Sequence, residues 1–243
     1  MAEARPQPLS LVAALSTADV GVIAEIKRAS PSRGPLADIP DAARLAADYL
    51  SGGASAISVL TEPAHFSGSL NDLAAVAAHP VPVLRKDFIV DPYQVWEARA
   101  AGAAAVLLIV VALEQDDLVS LLEVADEAGL VALLETHDEL EVTRAIGAYE
   151  AAGITGRPVI GVNARDLTTL SVDVNRFATI RPSVPEGAIA VAESGVRDAD
   201  DVRRLAGEGA DAVLVGESVA TAAEPAKAVR ALVEAGLAAE HGR

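Results

Sequence analysis

Eight short runs of β-branched residues, leucine and alanine recur along the chain, each followed by a stretch of helical period that ends near glycine. They are VIAEI from Val22, SAISVL from Ser55, PVLRK from Pro82, AAVLLIV from Ala104, LVALLE from Leu130, PVIGVN from Pro158, AIAVAE from Ala188 and AVLVG from Ala212. Their starts are about 27 residues apart on average, enough for a strand, a loop, a three-turn helix and a second loop. Gly53, Gly102, Gly129 and Gly209 stand just before strands two, four, five and eight, where a left-handed residue ends a helix and turns the chain. The stretch from Asp198 to Leu205 carries acids in its first turn and cations after them, as a capped helix does. Eight alternating units predict an α/β fold, a single-domain (β/α)8 TIM barrel, with residues 1–21 as an N-terminal extension and 22–243 as the barrel. An open doubly wound sheet is the rival, but it usually carries a glycine-rich turn after its first strand, and here that strand runs into KRASPSRGP. The G-x-G at Gly207-Glu-Gly209 precedes a strand and reads as a helix end.

Composition narrows the function classes. Nineteen Lys and Arg against 35 Asp and Glu leave a formal charge of −16 with no basic run longer than two, which argues against nucleic acid or an anionic membrane as partner. With 51% hydrophobic and 22% charged residues the chain supports a large core. The absence of cysteine removes disulfides, thiolate zinc sites and cysteine nucleophiles. The apolar run Ala101 to Leu113 falls short of the roughly 20 residues that span a bilayer and reads as a buried strand. The first twenty residues lack the basic start and long apolar stretch of a secretory signal, so a cytoplasmic location is expected.

In such a barrel the chemistry sits at the C-terminal ends of the strands. Strand one ends in Glu25 and Lys27, strand three in Arg85-Lys86-Asp87, strand five in Glu135, strand six in Asn163 and Arg165, and strand seven in Glu193-Ser194-Gly195. Strand eight ends in Gly216-Glu217-Ser218. Any one of these alone reads as a rim residue in a structural ion pair; together they point to a site, since a buried charge must face another charge or a charged ligand. Convergence of Lys27, Lys86 and Arg165 predicts a local cationic pocket suited to a small anionic substrate, and the glycine turns after strands seven and eight suit a phosphate, hence a sugar phosphate. His65, His79, His137 and His241 have no ligand spacing, so no metal is expected, and His137 reads as an ordinary loop residue. Lysine and glutamate are left to supply acid and base. A lysine crowded by cations and partly desolvated has a lowered pKa, useful for a general acid near neutrality.

Several segments resemble one family, the indole-3-glycerol phosphate synthases: VIAEIKRASPSRG (Val22 to Gly34), ISVLTEPAHFSGSLNDL (Ile57 to Leu73), PVLRKDFIVDPYQVWEARAAGA (Pro82 to Ala103), VLLIV (Val106 to Val110), GVNARDL (Gly161 to Leu167), AESGV (Ala192 to Val196) and AVLVGES (Ala212 to Ser218). The resemblance implies a cofactor-free, metal-free ring closure of an arylamino deoxyribulose phosphate in tryptophan biosynthesis, with loss of carbon dioxide and water, and other enzymes of that pathway as partners. It implies Lys86 as the acid and Glu135 as the base, with Lys27 and Glu25 holding and polarising the substrate. It places Asn163 and Glu193 on sugar hydroxyls and the lysines, and Arg165 on the anthranilate carboxylate. It puts the phosphate on Ser194-Gly195 and Gly216-Glu217-Ser218 with Ser30 closing over it, Phe88 on the aromatic ring, and the loop Arg28 to Pro35 as a lid. Two departures from the family pattern stand out. Only about twenty residues precede Val22, so a shortened helical extension is expected, with Leu9 to Leu15 as its last helix. Ala148 to Pro158 (AYEAAGITGRP) lengthens the connection before strand six, toward the stability face. A sibling isomerase acting on phosphoribosyl anthranilate would lack the EIKRxSPS and RKDFI pair, and a noncatalytic barrel would have lost catalytic positions that are intact here.

Overall fold

The computed structural model describes residues 7–16 and 19–238. Strands buried on both faces need unbroken apolar runs, and the eight runs become eight parallel strands. They are β1 (Gly21–Ile26), β2 (Ala56–Leu60), β3 (Val83–Lys86), β4 (Ala105–Ile109), β5 (Val131–Thr136), β6 (Val159–Asn163), β7 (Ile189–Glu193) and β8 (Ala212–Val215). They pair in chain order and close into a barrel, β8 returning to β1 through the register Gly21↔Ala212 to Ala24↔Val215. Outside lie α1 (Ala42–Ser51), α2 (Leu70–Val76), α3 (Pro92–Ala101), α4 (Gln115–Glu127), α5 (Glu139–Ala151), α6 (Arg176–Ile180), α7 (Ala199–Gly207) and α8 (Pro225–Ala238).

Local chemistry explains where these helices start and stop. Side chains of Asp41, Ser69, Asp91, Asp138 and Asp198 accept backbone N–H groups at the first turns of α1, α2, α3, α5 and α7. Gly102, at φ 101°, ends α3 and turns the chain toward β4. Gly209, at φ 90°, does the same before β8, so the G-x-G is a helix end as its position indicated.

Alternation along each strand divides the core in two. Outward residues such as Val22, Ala24 and Ile26 of β1 pack beneath the helices, while Ile23, Leu84, Leu107, Leu133, Val191 and Leu214 fill the barrel. The helix Leu11–Leu15 plugs this inner cluster with Leu11 and Leu15, both buried, and is capped by Ser10. It lies within the predicted segment Leu9 to Leu15. Before β6, Ala148 to Ala151 complete α5, and the rest of the predicted insertion forms the loop before the strand. There Arg157 donates to the carbonyls of Gly187 and Ala188 and to Ser16 Oγ, tying this loop to the N-terminal end of the barrel.

The loop after β1 is built as a small hairpin, Ala29–Ser30 pairing antiparallel with Gly34–Pro35. Its base is anchored by Arg28, whose guanidinium donates to Asp72 at 2.6 and 3.0 Å and to the Ile39 carbonyl at 2.8 and 3.0 Å.

Candidate active site

Layers of four side chains from alternate strands fill a barrel of this type, ordinarily with apolar groups. Here the last lumen-facing positions of β1, β3, β5 and β7 are Glu25, Lys86, Glu135 and Glu193, and the three carboxylates are buried. Lys86 Nζ stands 3.2 Å from Glu135 Oε2 and 3.4 Å from Glu193 Oε2. One ammonium therefore serves a ring of three carboxyl groups. Lys27, two residues beyond Glu25 and just past the end of β1, places its Nζ 3.6 Å from Glu25 Oε1 and 5.7 Å from the centre of the Phe66 ring.

Burial alone would lower the pKa of Lys86, but Glu135, Glu193 and Glu25 outweigh it and hold the ammonium well above its ordinary range. Burial would raise Glu135, yet Lys86, then His137 and Asn163, keep it well below the usual carboxylate range. Glu193 has the opposite fate: desolvation dominates, Lys86 offsets only part of it, Glu135 and Glu25 push further, and its carboxyl titrates at about 8. At neutral pH the ring thus holds a charged lysine, an ionised Glu135 and a protonated Glu193.

Two expectations are corrected by this arrangement. Lys86 is crowded by carboxylates rather than by cations, so its pKa rises instead of falling. The cavity above the ring, about 440 Å³, is lined by five cations (Lys27, Arg33, Lys86, Arg165 and Arg197) and six carboxyl groups (Glu25, Glu62, Asp87, Glu135, Glu193 and Glu217), so it is a mixed-charge site and not a cationic pocket. A third correction concerns His137. It is no ordinary loop residue: it is largely buried between Glu135 and Glu141 and its imidazole titrates at about 9 because those two carboxylates outweigh the burial.

Of the fourteen residues singled out from the sequence, thirteen line the cavity. Asn163 is oriented by the Arg165 N–H donating to its Oδ1 at 3.0 Å, which turns its amide toward Glu135. The Arg165 guanidinium donates to the Leu170 carbonyl at 2.8 Å within the ordered loop after β6. Phe88 is half exposed at the mouth, its ring centre 6.4 Å from that of Phe66. Ser194 and Gly195 both take left-handed backbone, φ 67° and 79°, and Ser218 Oγ donates to the Val196 carbonyl, joining the two glycine turns side by side. The Glu217 carboxylate leaves its turn to pair with Arg33 of the first loop at 2.5 Å. Ser30 is the exception: it is buried in the hairpin with its Oγ 3.4 Å from Ser32 Oγ and does not line the cavity, because the hairpin turns its side chain inward. Among the described residues no three His, Asp or Glu side chains are grouped as metal ligands would be.

Two glycines were not singled out for what they do here. A β-carbon on Gly161 would overlap Glu193 Oε1, and one on Gly216 would meet Glu25 Oε1 at 2.5 Å, so each glycine is the floor over which a ring carboxylate lies. The G161A variant is expected to fold but to displace Glu193, lowering kcat on the order of tenfold. A steady-state assay with a melting curve checks this, and an unchanged kcat would contradict it.

Comparison with known proteins bears on this geometry. A profile of the indole-3-glycerol phosphate synthase family matches residues 1–232. The chain belongs to the indole-3-glycerol phosphate synthase family. It is 56% identical over 236 residues to the indole-3-glycerol phosphate synthase of Mycobacteroides abscessus, covering 97% of this chain and 84% of that one. It is 57% identical over the same length to that of Rhodococcus opacus, with 97% and 85% covered. The 3-hexulose-6-phosphate synthase of Salmonella typhimurium, 18% identical, superposes with a TM-score of 0.70 over 90% of this chain and 100% of that one, a likeness of fold alone. Family membership agrees with the order of EIKRASPS, RKDFI and GVNARDL on β1, β3 and β6, and with the β1–β3–β5–β7 ring they help to build.

Proposed function

We propose that this member of the synthase family closes the pyrrole ring of 1-(2-carboxyphenylamino)-1-deoxyribulose 5-phosphate, releasing carbon dioxide and water to give indole-3-glycerol phosphate for tryptophan biosynthesis in the cytoplasm. The observation that carries the proposal is the ring of Lys86 with Glu25, Glu135 and Glu193 at the floor of a cavity flanked by two adjoining glycine turns. The division into an extension, 1–21, and a barrel, 22–243, belongs to the same reading.

The raised pKa of Lys86 keeps a proton on Nζ at neutral pH, ready for the ketone oxygen as the anthranilate ring carbon attacks. Loss of the carboxylate as carbon dioxide then restores aromaticity. Loss of water requires a proton given to the departing hydroxyl and a proton taken from the neighbouring carbon. Glu135, ionised and beside Lys86, takes that proton; once Lys86 turns to the substrate oxygen, the main influence depressing Glu135 is withdrawn and its basicity recovers. Lys27 and Glu25 hold and polarise the substrate, and Asn163 and the neutral Glu193 carboxyl hydrogen-bond its hydroxyls. Arg165 meets the anthranilate carboxylate, Phe88 lies against the ring, and the phosphate rests on Ser194-Gly195 and Gly216-Glu217-Ser218. Each proton transfer contributes roughly 10²- to 10⁴-fold. Among the described residues no helix is long and apolar enough to cross a membrane.

A fluorescence progress curve with purified protein, this substrate and EDTA tests the proposal. Chelator-insensitive appearance of indole-3-glycerol phosphate is expected; folded protein that binds the substrate and forms no product would overturn it.

A further inference from the structure

Glu135 is held from the side opposite Lys86 by a residue that the reaction as described does not use. His137, two residues along the chain, turns its ring back so that Nε2 lies 3.4 Å from Glu135 Oε1, an ion pair without hydrogen-bond geometry that leaves this buried nitrogen without a hydrogen-bond partner. The other ring nitrogen, Nδ1, is 3.0 Å from Glu141 Oε2, and the same oxygen accepts the His137 backbone N–H at 2.8 Å. Glu141 is buried and fixed in turn, because its own N–H donates to Asp138, the residue that caps α5. The result is an alternating row of charges, Glu141, His137, Glu135 and Lys86, running from the start of α5 to the cavity floor.

We propose that His137, aimed by Glu141, is a positioning residue for Glu135, its imidazolium fixing the orientation and ionised state of the base between turnovers. The inference rests on the synthase reading above. Its physical basis is that Glu135 needs a second cationic partner: when Lys86 moves to the substrate, a buried carboxylate left alone would take up a proton from solvent or rotate away. The positive charge of the His137 ring, 3.4 Å from Oε1, opposes both while leaving that oxygen close to the cavity. The groups facing this pair are Lys86 from β3, Asn163 from β6, Glu193 from β7 and Glu25 from β1 around Glu135, and Glu141 from α5 beside His137.

The sign of the pH dependence follows. The imidazole of His137 is raised to about 9 by Glu135 and Glu141, so it is charged at pH 6 and still mostly charged at pH 8.5. In E141Q the Gln oxygen still accepts the Nδ1–H and the backbone N–H, but one of the two raising charges is gone, so His137 loses its proton nearer its ordinary pKa. The ratio of E141Q to wild-type kcat is therefore expected to be close to one at pH 6 and to fall on the order of tenfold by pH 8.5. H137Q is expected to lose on the order of tenfold in kcat from pH 6 to pH 8.5, where the wild-type ring is charged, with KM changed less than about threefold. NMR titration of the histidine rings in the wild type and E141Q supplies a readout independent of turnover: one resonance should shift its midpoint downward in E141Q. An E141Q ratio constant across pH, or H137Q with wild-type kcat, would overturn the positioning role while leaving the synthase reading intact. Wild-type protein that forms no product would overturn that reading and this role together.

Discussion

K86A is expected to lower kcat by about 10³-fold or more while substrate still binds. Two separate effects produce this. The proton donor for the ketone oxygen is lost, and the ring is left with three buried carboxyl groups and no central cation. Without Lys86, burial and mutual repulsion push Glu135 upward with only His137 opposing them, so the group that should act as base loses part of its charge near neutrality. The same change has a signature in stability. A carboxyl whose folded pKa lies above its unfolded value binds more protons in the folded state, so stability falls as pH rises between the two values. K86A should therefore lose stability from about pH 5 toward pH 8 more steeply than the wild type. Single-turnover kinetics, an equilibrium binding measurement with a substrate analogue, and urea midpoints at both pH values check the two effects. A variant with wild-type turnover would remove Lys86 from the chemistry; a stability profile parallel to the wild type would refute the account of the ring.

Glu193 carries the second large effect. Its carboxyl titrates at about 8, so the wild type is expected to lose activity as pH rises past that value, on the order of 100-fold by pH 10 if the neutral acid is the working form. E193Q preserves a neutral donor of similar shape and removes this titration, so its kcat should fall across that interval by no more than the roughly tenfold that deprotonation of His137 costs. The linkage has a definite sign: the folded pKa lies above the ordinary carboxylate value, so the contribution of Glu193 to stability is full at acid pH and is lost as pH rises to about 8. This pH dependence is present in the wild type and absent from E193Q. Parallel pH profiles of rate and of denaturant midpoint for the two proteins would show it, and an E193Q rate that falls on the order of 100-fold by pH 10, as the wild type does, would assign that loss to another group.

Much of the barrel was legible because buried parallel strands leave continuous apolar runs, and because Gly102 and Gly209 mark helix ends that no other residue type serves as well. The site residues were legible for a related reason: Glu25, Lys86, Glu135, Asn163 and Glu193 are polar residues at the ends of those runs, where burial without a partner is costly. What could not be read was which of them face each other. Alternation tells which side chains point into the barrel, not who stands across it, so Lys27, Lys86 and Arg165 were grouped by their like charge. In the folded chain each lysine has a carboxylate neighbour, and Arg165 is engaged with the Leu170 carbonyl. His137 was read as an ordinary loop residue because its significance depends on Glu141, a residue that belongs to the next helix. Gly161 looked like part of an apolar strand because its reason for being glycine, the Glu193 side chain, comes from the neighbouring strand. Ser30 was drawn toward the phosphate by resemblance, whereas the hairpin buries it.

The barrel keeps its apolar filling and the Leu11–Leu15 plug at one end and its charged ring at the other. That separation has an evolutionary consequence. Substitutions that retune acid and base groups fall on the layer that contributes least to holding the strands together, while those that matter most for folding fall where no substrate reaches. Lineages can therefore explore new chemistry at the open end with the fold as a nearly constant background.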